Sequence, residues 1–386
     1  MRGVKRHAAV LAFLPALAGF PALAAPDEEL LGKNRYAPCL RPEGSFAAPE
    51  CIVWMMSNYD AAFPARVVKA GGSAWPLQRA AAEPAVGIDA FLAAHRNTGL
   101  LILRGDTILA ERYQYERKPE HRFASMSMAK TVVAMLVGIA LHEGHIKSLD
   151  DPAERYVRAL QGHPYGETPV RHLLTMSSGV RFVENYLGND DIMKLGRRLL
   201  FHTGPGGAEA LAPYRERVAS PGKVFSYASS ETYVLGLVLR GATGRSVADY
   251  LSEKIWQPMG AEADASMNID ASGYELAYCC LNATLRDWAR LGRLLAEGGA
   301  REGRQIIPAA WVQEATSNRA PMTGYGYQTW VAPSADRFTL RGLRGQAVDV
   351  HPASKIVVVH TAVYGVGTGR QGQQNFFDAI LKALNP

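Results

Sequence analysis

The chain has 386 residues, with 42 Lys and Arg against 36 Asp and Glu, a formal net charge of +6. A balance this close to neutral, with no clustered basic stripe, argues against nucleic acid as a partner. The length suits one large domain or two.

Residues 1–24 read as a secretory signal peptide. Arg2, Lys5 and Arg6 form a basic start, Ala8 to Phe20 is apolar, and Ala22-Leu23-Ala24 is a small-x-small cleavage site. Cleavage after Ala24 removes three basic charges, which brings +6 to +3. Pro15 and Pro21 break the apolar run, so a retained membrane span is the weaker reading. No cysteine stands directly after the cut, so no lipoprotein anchor, and no other stable membrane anchor, is expected. The chain is expected to be periplasmic or secreted.

Residues 25–84 are rich in Pro, Ala and Gly, show little periodicity, and read as an N-terminal extension. Cys39 and Cys51 could close a short disulfide loop in an oxidising compartment. Val86 to Arg96 reads as a helix. Thr98 to Leu103 and Thr107 to Tyr113 read as two strands joined by Arg104-Gly105-Asp106, a hairpin signal. From Ser127 to about Leu251 helical patterns dominate. Cys279 and Cys280 are adjacent and read as two buried thiols behaving as small apolar groups, although four cysteines allow three connectivities. Trp288 to Glu297 reads as a helix. Strands are predicted at Gln328–Val331, Arg337–Arg341, Gln346–Val350 and Ile356–Thr361, and a last helix at Gln373–Leu384. Nothing has metal spacing. His142-Glu143-Gly144-His145 is one residue short of H-E-x-x-H, which rotates the second His away. No cofactor is expected.

Three segments carry chemistry. Ser127-Met128-Ala129-Lys130 reads S-x-x-K at the start of an apolar helix, where residues three apart share a face. A serine needs a neighbouring base to become a nucleophile, and a lysine becomes one when burial lowers its pKa. Ser125 competes, but its residue three later is Met128. Next, Tyr227-Ala228-Ser229 can aim a phenol and a hydroxyl at the same nucleophile. Last, Arg341-Gly342-Leu343-Arg344-Gly345-Gln346 lies in a β-rich stretch whose glycines permit close approach.

This order resembles the serine β-lactamase and penicillin-binding-protein superfamily, on the class C β-lactamase side. The sequence around the motifs looks most like the branch with 6-aminohexanoate-oligomer (nylon-oligomer) hydrolases and related esterases. The matching words are Arg171-His172-Leu173-Leu174-Thr175-Met176-Ser177-Ser178-Gly179, Asn282-Ala283-Thr284-Leu285-Arg286-Asp287-Trp288-Ala289-Arg290 and Gly342-Leu343-Arg344-Gly345-Gln346. The resemblance covers roughly residues 85–386. It implies an α/β (α+β), β-lactamase-like fold: an antiparallel sheet flanked by helices, with a helical insertion. The α/β part would be about 85–126 and 265–386, and the helical part about 127–264.

The resemblance also implies roles. Ser127 is the nucleophile; Lys130 and Tyr227 serve it, and which of them is the base stays open. The oxyanion hole is formed by the backbone N–H groups of Ser127 and Leu343. Tyr186 matches a tyrosine that closes over substrate in the nylon-oligomer branch; a solvated loop tyrosine is the alternative. Ser229 stands where β-lactamases have Asn, as a proton relay or a helix cap. Gly342 and Arg344 belong to the substrate-binding strand. Trp330 either lines the cleft or packs the sheet. Lys-Thr-Gly is absent, with Arg341 beside Gly342, which favours an esterase or amidase over antibiotic resistance. The leading expectation is an exported serine hydrolase of a small-molecule ester or amide. The alternatives are a D-Ala-D-Ala carboxypeptidase or β-lactamase, and a catalytically silent binding protein.

Overall fold

The computed structural model describes residues 25–31, 49–186 and 188–384. The leader, Cys39 and Leu187 therefore lie outside the described residues. A seven-stranded sheet runs in the spatial order Trp330–Val331, Phe338–Arg341, Ala347–His351, Ile356–Ala362, Asn97–Arg104, Thr107–Tyr113, Gln78–Arg79. Every pairing is antiparallel except the last, where Gln78 and Arg79 run parallel to Thr107 and Ile108.

The central strands are apolar at nearly every position because both faces of the sheet are covered. Leu100, Ile102, Ile356 and Val358 point to one side and pack with Phe91, Phe376, Phe377 and Ile380. Those partners come from helices Ile88–Ala94 and Arg370–Leu384. Leu101, Leu103, Val357 and Val359 point to the other side, into the main core. Helix Leu285–Ala296 lies on that face. Gly292 lets it approach, since a Cβ there would meet Val357 Cγ1 at 2.5 Å. Burying each such aliphatic side chain contributes about 1.5–3 kcal/mol.

A second, four-stranded sheet runs Ala65–Val68, Ala265–Asn268, Leu281–Ala283, Phe123–Ala124. It joins three distant stretches of the chain. The N-terminal segment thus contributes strands to both sheets, although its sequence has no strand alternation. Helix Met128–His142 is buried through Ala140. It packs against helix Ser229–Thr243.

Several boundaries move. The first long helix is Ile88–Ala94, shorter than the predicted Val86–Arg96, because Gly87 precedes it at φ +66° and Asn97 already pairs in the sheet. The edge strand is Trp330–Val331 and excludes Gln328, which sits at φ +53°. Helix Leu285–Ala296 starts earlier than Trp288, because Thr284 caps it by accepting the Asp287 N–H at 3.2 Å. Asp287 in turn accepts the backbone N–H groups of Glu262 and Ala263 and binds Arg290. The Asn282–Arg290 word is therefore a structural clamp.

Candidate active site

Ser127 stands at the N-terminal boundary of helix Met128–His142. Before it, Met126 takes φ +46°, a conformation uncommon for a residue with a side chain. This bend turns the chain from strand Phe123–Ala124 into the helix and leaves Ser127 half-buried. Ser125 has another task. It is fully buried, donates to the Met126 carbonyl at 2.9 Å and accepts the Leu281 N–H at 3.1 Å.

Lys130 lies one turn on and is 1% exposed. Its ammonium donates to Ser127 Oγ at 2.8 Å, to Ser229 Oγ at 2.9 Å and to the Tyr278 carbonyl at 3.0 Å. All three acceptors are uncharged. Burial lowers the Lys130 pKa to about 8, and the Glu184 carboxylate opposes the shift. The shift brings the free amine closer to being available near neutral pH.

The Tyr227 phenol neighbours the Ser127 hydroxyl, whose interaction with it favours the phenolate. Burial first, and Glu184 second, push its phenol well above the ordinary value. Its ring stacks on Trp330 at 5.8 Å, and Lys130 Nζ lies 5.1 Å from its centroid. Trp330 therefore sits beside the reacting groups as well as at the sheet edge.

Glu184 was not marked by any motif. Its Oε2 accepts the Ser229 N–H at 2.6 Å; its Oε1 accepts the Ser229 hydroxyl at 2.8 Å and the Tyr186 hydroxyl at 2.5 Å. Ser229 opens helix Ser229–Thr243, whose N-cap is Ala228 without a side-chain cap bond. Its hydroxyl thus links Lys130 to Glu184. Only the position of Glu184 five residues beyond the Ser177-Ser178-Gly179 word could have drawn attention to it.

Ser127, Tyr186, Ser229, Tyr278, Cys279 and Leu343 line one cavity of about 110 Å³. Tyr59, Met126, Ile192, Met193, Leu200 and Leu276 supply most of its remaining, largely apolar wall. Gly342 brings Leu343 to it: a Cβ on Gly342 would lie 2.3 Å from the Ser125 carbonyl oxygen and 3.0 Å from Met126 Cβ. The two arginines of this strand part company. Arg344, at φ +63°, donates to the Tyr364 carbonyl at 3.1 Å. Arg341 lies 5.4 Å from the Trp330 ring, and its buried Nη1 has no hydrogen-bond partner among the described residues.

The expectation of two free thiols at Cys279 and Cys280 is corrected. The pair forms a disulfide between adjacent residues. Among the described residues no His, Cys, Asp and Glu cluster could hold a metal ion.

The chain is similar to several known proteins. Over 334 residues the chain is 26% identical to the 6-aminohexanoate-dimer hydrolase of Paenarthrobacter ureafaciens, covering 79% of this chain and 84% of that one. A Bacillus anthracis protein provisionally named a 6-aminohexanoate-dimer hydrolase superposes with a TM-score of 0.78 at 23% identity, over 94% of this chain and 99% of that one. The penicillin-binding protein of Bacillus halodurans superposes with a TM-score of 0.58 at 18% identity, over 74% and 97%. These likenesses between structures speak for a shared fold. The sequence also matches the Beta-lactamase family over residues 88–362. That match takes in helix Met128–His142, the Tyr227 loop and Gly342, and on it the chain belongs to the beta-lactamase family.

Proposed function

We propose that this chain is an exported serine hydrolase that cleaves a small ester or linear amide through an acyl-enzyme on Ser127. The observation that carries the reading is the 2.8 Å contact between Ser127 Oγ and a buried lysine whose pKa is lowered to about 8.

The free amine of Lys130 takes the Ser127 proton as Oγ attacks the carbonyl carbon. Tyr227 is the proton donor of the pair, because burial and Glu184 hold its phenol protonated. Beside Ser127, it is placed to protonate the leaving alkoxide or amine. The oxyanion falls to the backbone N–H groups of Ser127 and Leu343, two residues that line the same cavity. Water then attacks the acyl-enzyme along the same proton path in reverse.

The apolar wall suits an aliphatic chain on the substrate. A linear amide fits the named activity of the Paenarthrobacter relative. Export is supported by the leader-like residues 1–24, and residues just past the proposed cut are tied into the fold. The Pro26 carbonyl accepts the Tyr115 hydroxyl at 2.8 Å, and Asp27 pairs with Arg96 at 2.7 Å. A chain starting at Ala25 would thus be anchored from its first residues.

A steady-state comparison of p-nitrophenyl butyrate with nitrocefin tests the substrate class. A β-lactam needs its carboxylate held at a fixed place, and an arginine fork differs in reach from the lysine of Lys-Thr-Gly. Ester turnover with weak or no nitrocefin turnover is expected. Nitrocefin kcat/KM near ~10⁴–10⁸ M⁻¹s⁻¹ would make the protein a β-lactamase. Inertness toward both substrates and toward small linear amides would favour a binding protein.

A further inference from the structure

The Cys279–Cys280 disulfide lies between two attachments to the nucleophile segment. Immediately before it, the Tyr278 carbonyl accepts the Lys130 ammonium at 3.0 Å. Immediately after it, Leu281 exchanges two hydrogen bonds with Ser125: its carbonyl accepts the Ser125 N–H at 2.9 Å, and its N–H donates to Ser125 Oγ at 3.1 Å. The bond thus spans the segment that joins the catalytic lysine to the bend before Ser127.

Two further observations give the bond work at this place. Cys280 is 1% exposed and sits at φ +69°, where a residue with a side chain is uncommon. Its carbonyl is held there by the Asn268 N–H at 3.1 Å and Asn282 Nδ2 at 3.2 Å. A disulfide between neighbours closes a small ring that includes their shared peptide, so it removes the backbone freedom that would let Cys280 leave this conformation. Cys279, by contrast, is half-buried and lines the same cavity as Ser127. A small reductant entering that cavity therefore reaches the Cys279 half of the bond first.

We propose that the Cys279–Cys280 disulfide is a positioning element of the active site, holding the Tyr278 carbonyl on the Lys130 ammonium, so that a dithiol slows acylation reversibly. This rests on the reading of Ser127 and Lys130 as nucleophile and base. In the redox step a dithiol thiolate attacks the Cys279 sulfur and breaks the S–S bond. The dithiol's second sulfur then attacks its first, breaking the mixed disulfide and releasing the Cys279 thiolate. The dithiol gives up two electrons and two protons and closes to its own disulfide, and the protein gains two thiols.

The sign of the effect comes from the acceptor. A carbonyl on an ammonium favours the charged form. Loosening it leaves Lys130 easier to deprotonate but poorly aimed at Ser127. Reduction should therefore lower kcat and move the acidic limb of the pH profile to lower pH.

The experiment measures p-nitrophenyl butyrate turnover across pH for the oxidised protein, for the protein treated with dithiothreitol, and for the Cys279→Ser, Cys280→Ser double variant. Peptide mass spectrometry tracks the Cys279–Cys280 bond, and circular dichroism tracks the fold. Fluorophosphonate labelling of Ser127 in the oxidised protein checks the underlying reading separately. The expected result is a loss of roughly tenfold in kcat on reduction, the scale of one hydrogen bond to a charged group. The limb should move down, recovery should accompany reoxidation, and the double variant should match the reduced protein and ignore dithiothreitol. A reduced pair with unchanged kcat and pH profile overturns the proposal, as does a double variant that stays dithiol-sensitive. If the double variant does not fold, the wild-type arm decides alone. Labelling of Ser127 with no response to reduction sinks this inference only; no labelling in the oxidised protein sinks the reading beneath it.

Discussion

Glu184 holds Ser229 with both carboxylate oxygens, one on the backbone N–H at 2.6 Å and the other on the hydroxyl at 2.8 Å. The Ser229 hydroxyl accepts from Lys130 in turn. The carboxylate therefore reaches Lys130 through a serine, and its charge raises the lysine pKa against the effect of burial. This places an adjustable electrostatic control one residue away from the proton path.

The pH dependence derives from that control. Lys130 is lowered to about 8, so kcat/KM for an ester should rise with pH through an inflection near 8 as the free amine forms. Glu184 opposes the lowering, so Glu184→Gln should move the inflection to lower pH. A uniform loss of activity with no movement of the limb would mean that Glu184 only supports structure. A rate-against-pH series on both proteins settles it.

Lys130→Ala and Tyr227→Phe should each slow acylation by roughly a hundredfold or more, the scale of lost general acid–base catalysis. Both side chains meet on Ser127, so the double variant should be little worse than either single. Losses that multiply, measured by pre-steady-state release of p-nitrophenol, would assign them to different steps.

Gly342→Ala tests the close approach of the strand to the nucleophile bend. The new methyl would lie 2.3 Å from the Ser125 carbonyl oxygen, closer than real contacts allow. The strand must retreat, taking Leu343 with it. A cost of about 1–3 kcal/mol in stability is expected. A fall of roughly a hundredfold or more in kcat should accompany it, the scale of a lost oxyanion donor. Chemical denaturation and ester kinetics on one preparation check both. An unchanged kcat would remove the Leu343 N–H from the oxyanion hole.

The sequence showed what is local. Ser127 and Lys130 are three apart on a helix, and Tyr227 and Ser229 share one short loop, so spacing alone could group them. Alternation within Leu100–Leu103 and Ile356–Val359 is hidden because both sheet faces are covered, yet the apolar runs still read as strands. The features that stayed hidden depend on distant contacts. Glu184 meets Ser229 across 45 residues. Ala65–Val68 finds Ala265–Asn268 some 200 residues on, and no local pattern marks either segment. Tyr59 reaches the cavity wall from the same unpatterned stretch. Ser229 looked like either a cap or a relay until Ala228 proved to be the cap position. Cys279 and Cys280 read as apolar filler because adjacency says nothing about oxidation.

The central claim is that Ser127 is the nucleophile, and one measurement addresses it directly. Intact-mass spectrometry after treatment with an alkyl fluorophosphonate, combined with peptide mapping, should show one adduct, on Ser127. The adduct should be absent from Ser127→Ala, which should keep its fold and lose p-nitrophenyl butyrate turnover. Ser125→Ala should still be labelled, because Ser125 is tied to Met126 and Leu281. An adduct on Ser125, or a Ser127→Ala variant that still turns over ester, would contradict the account.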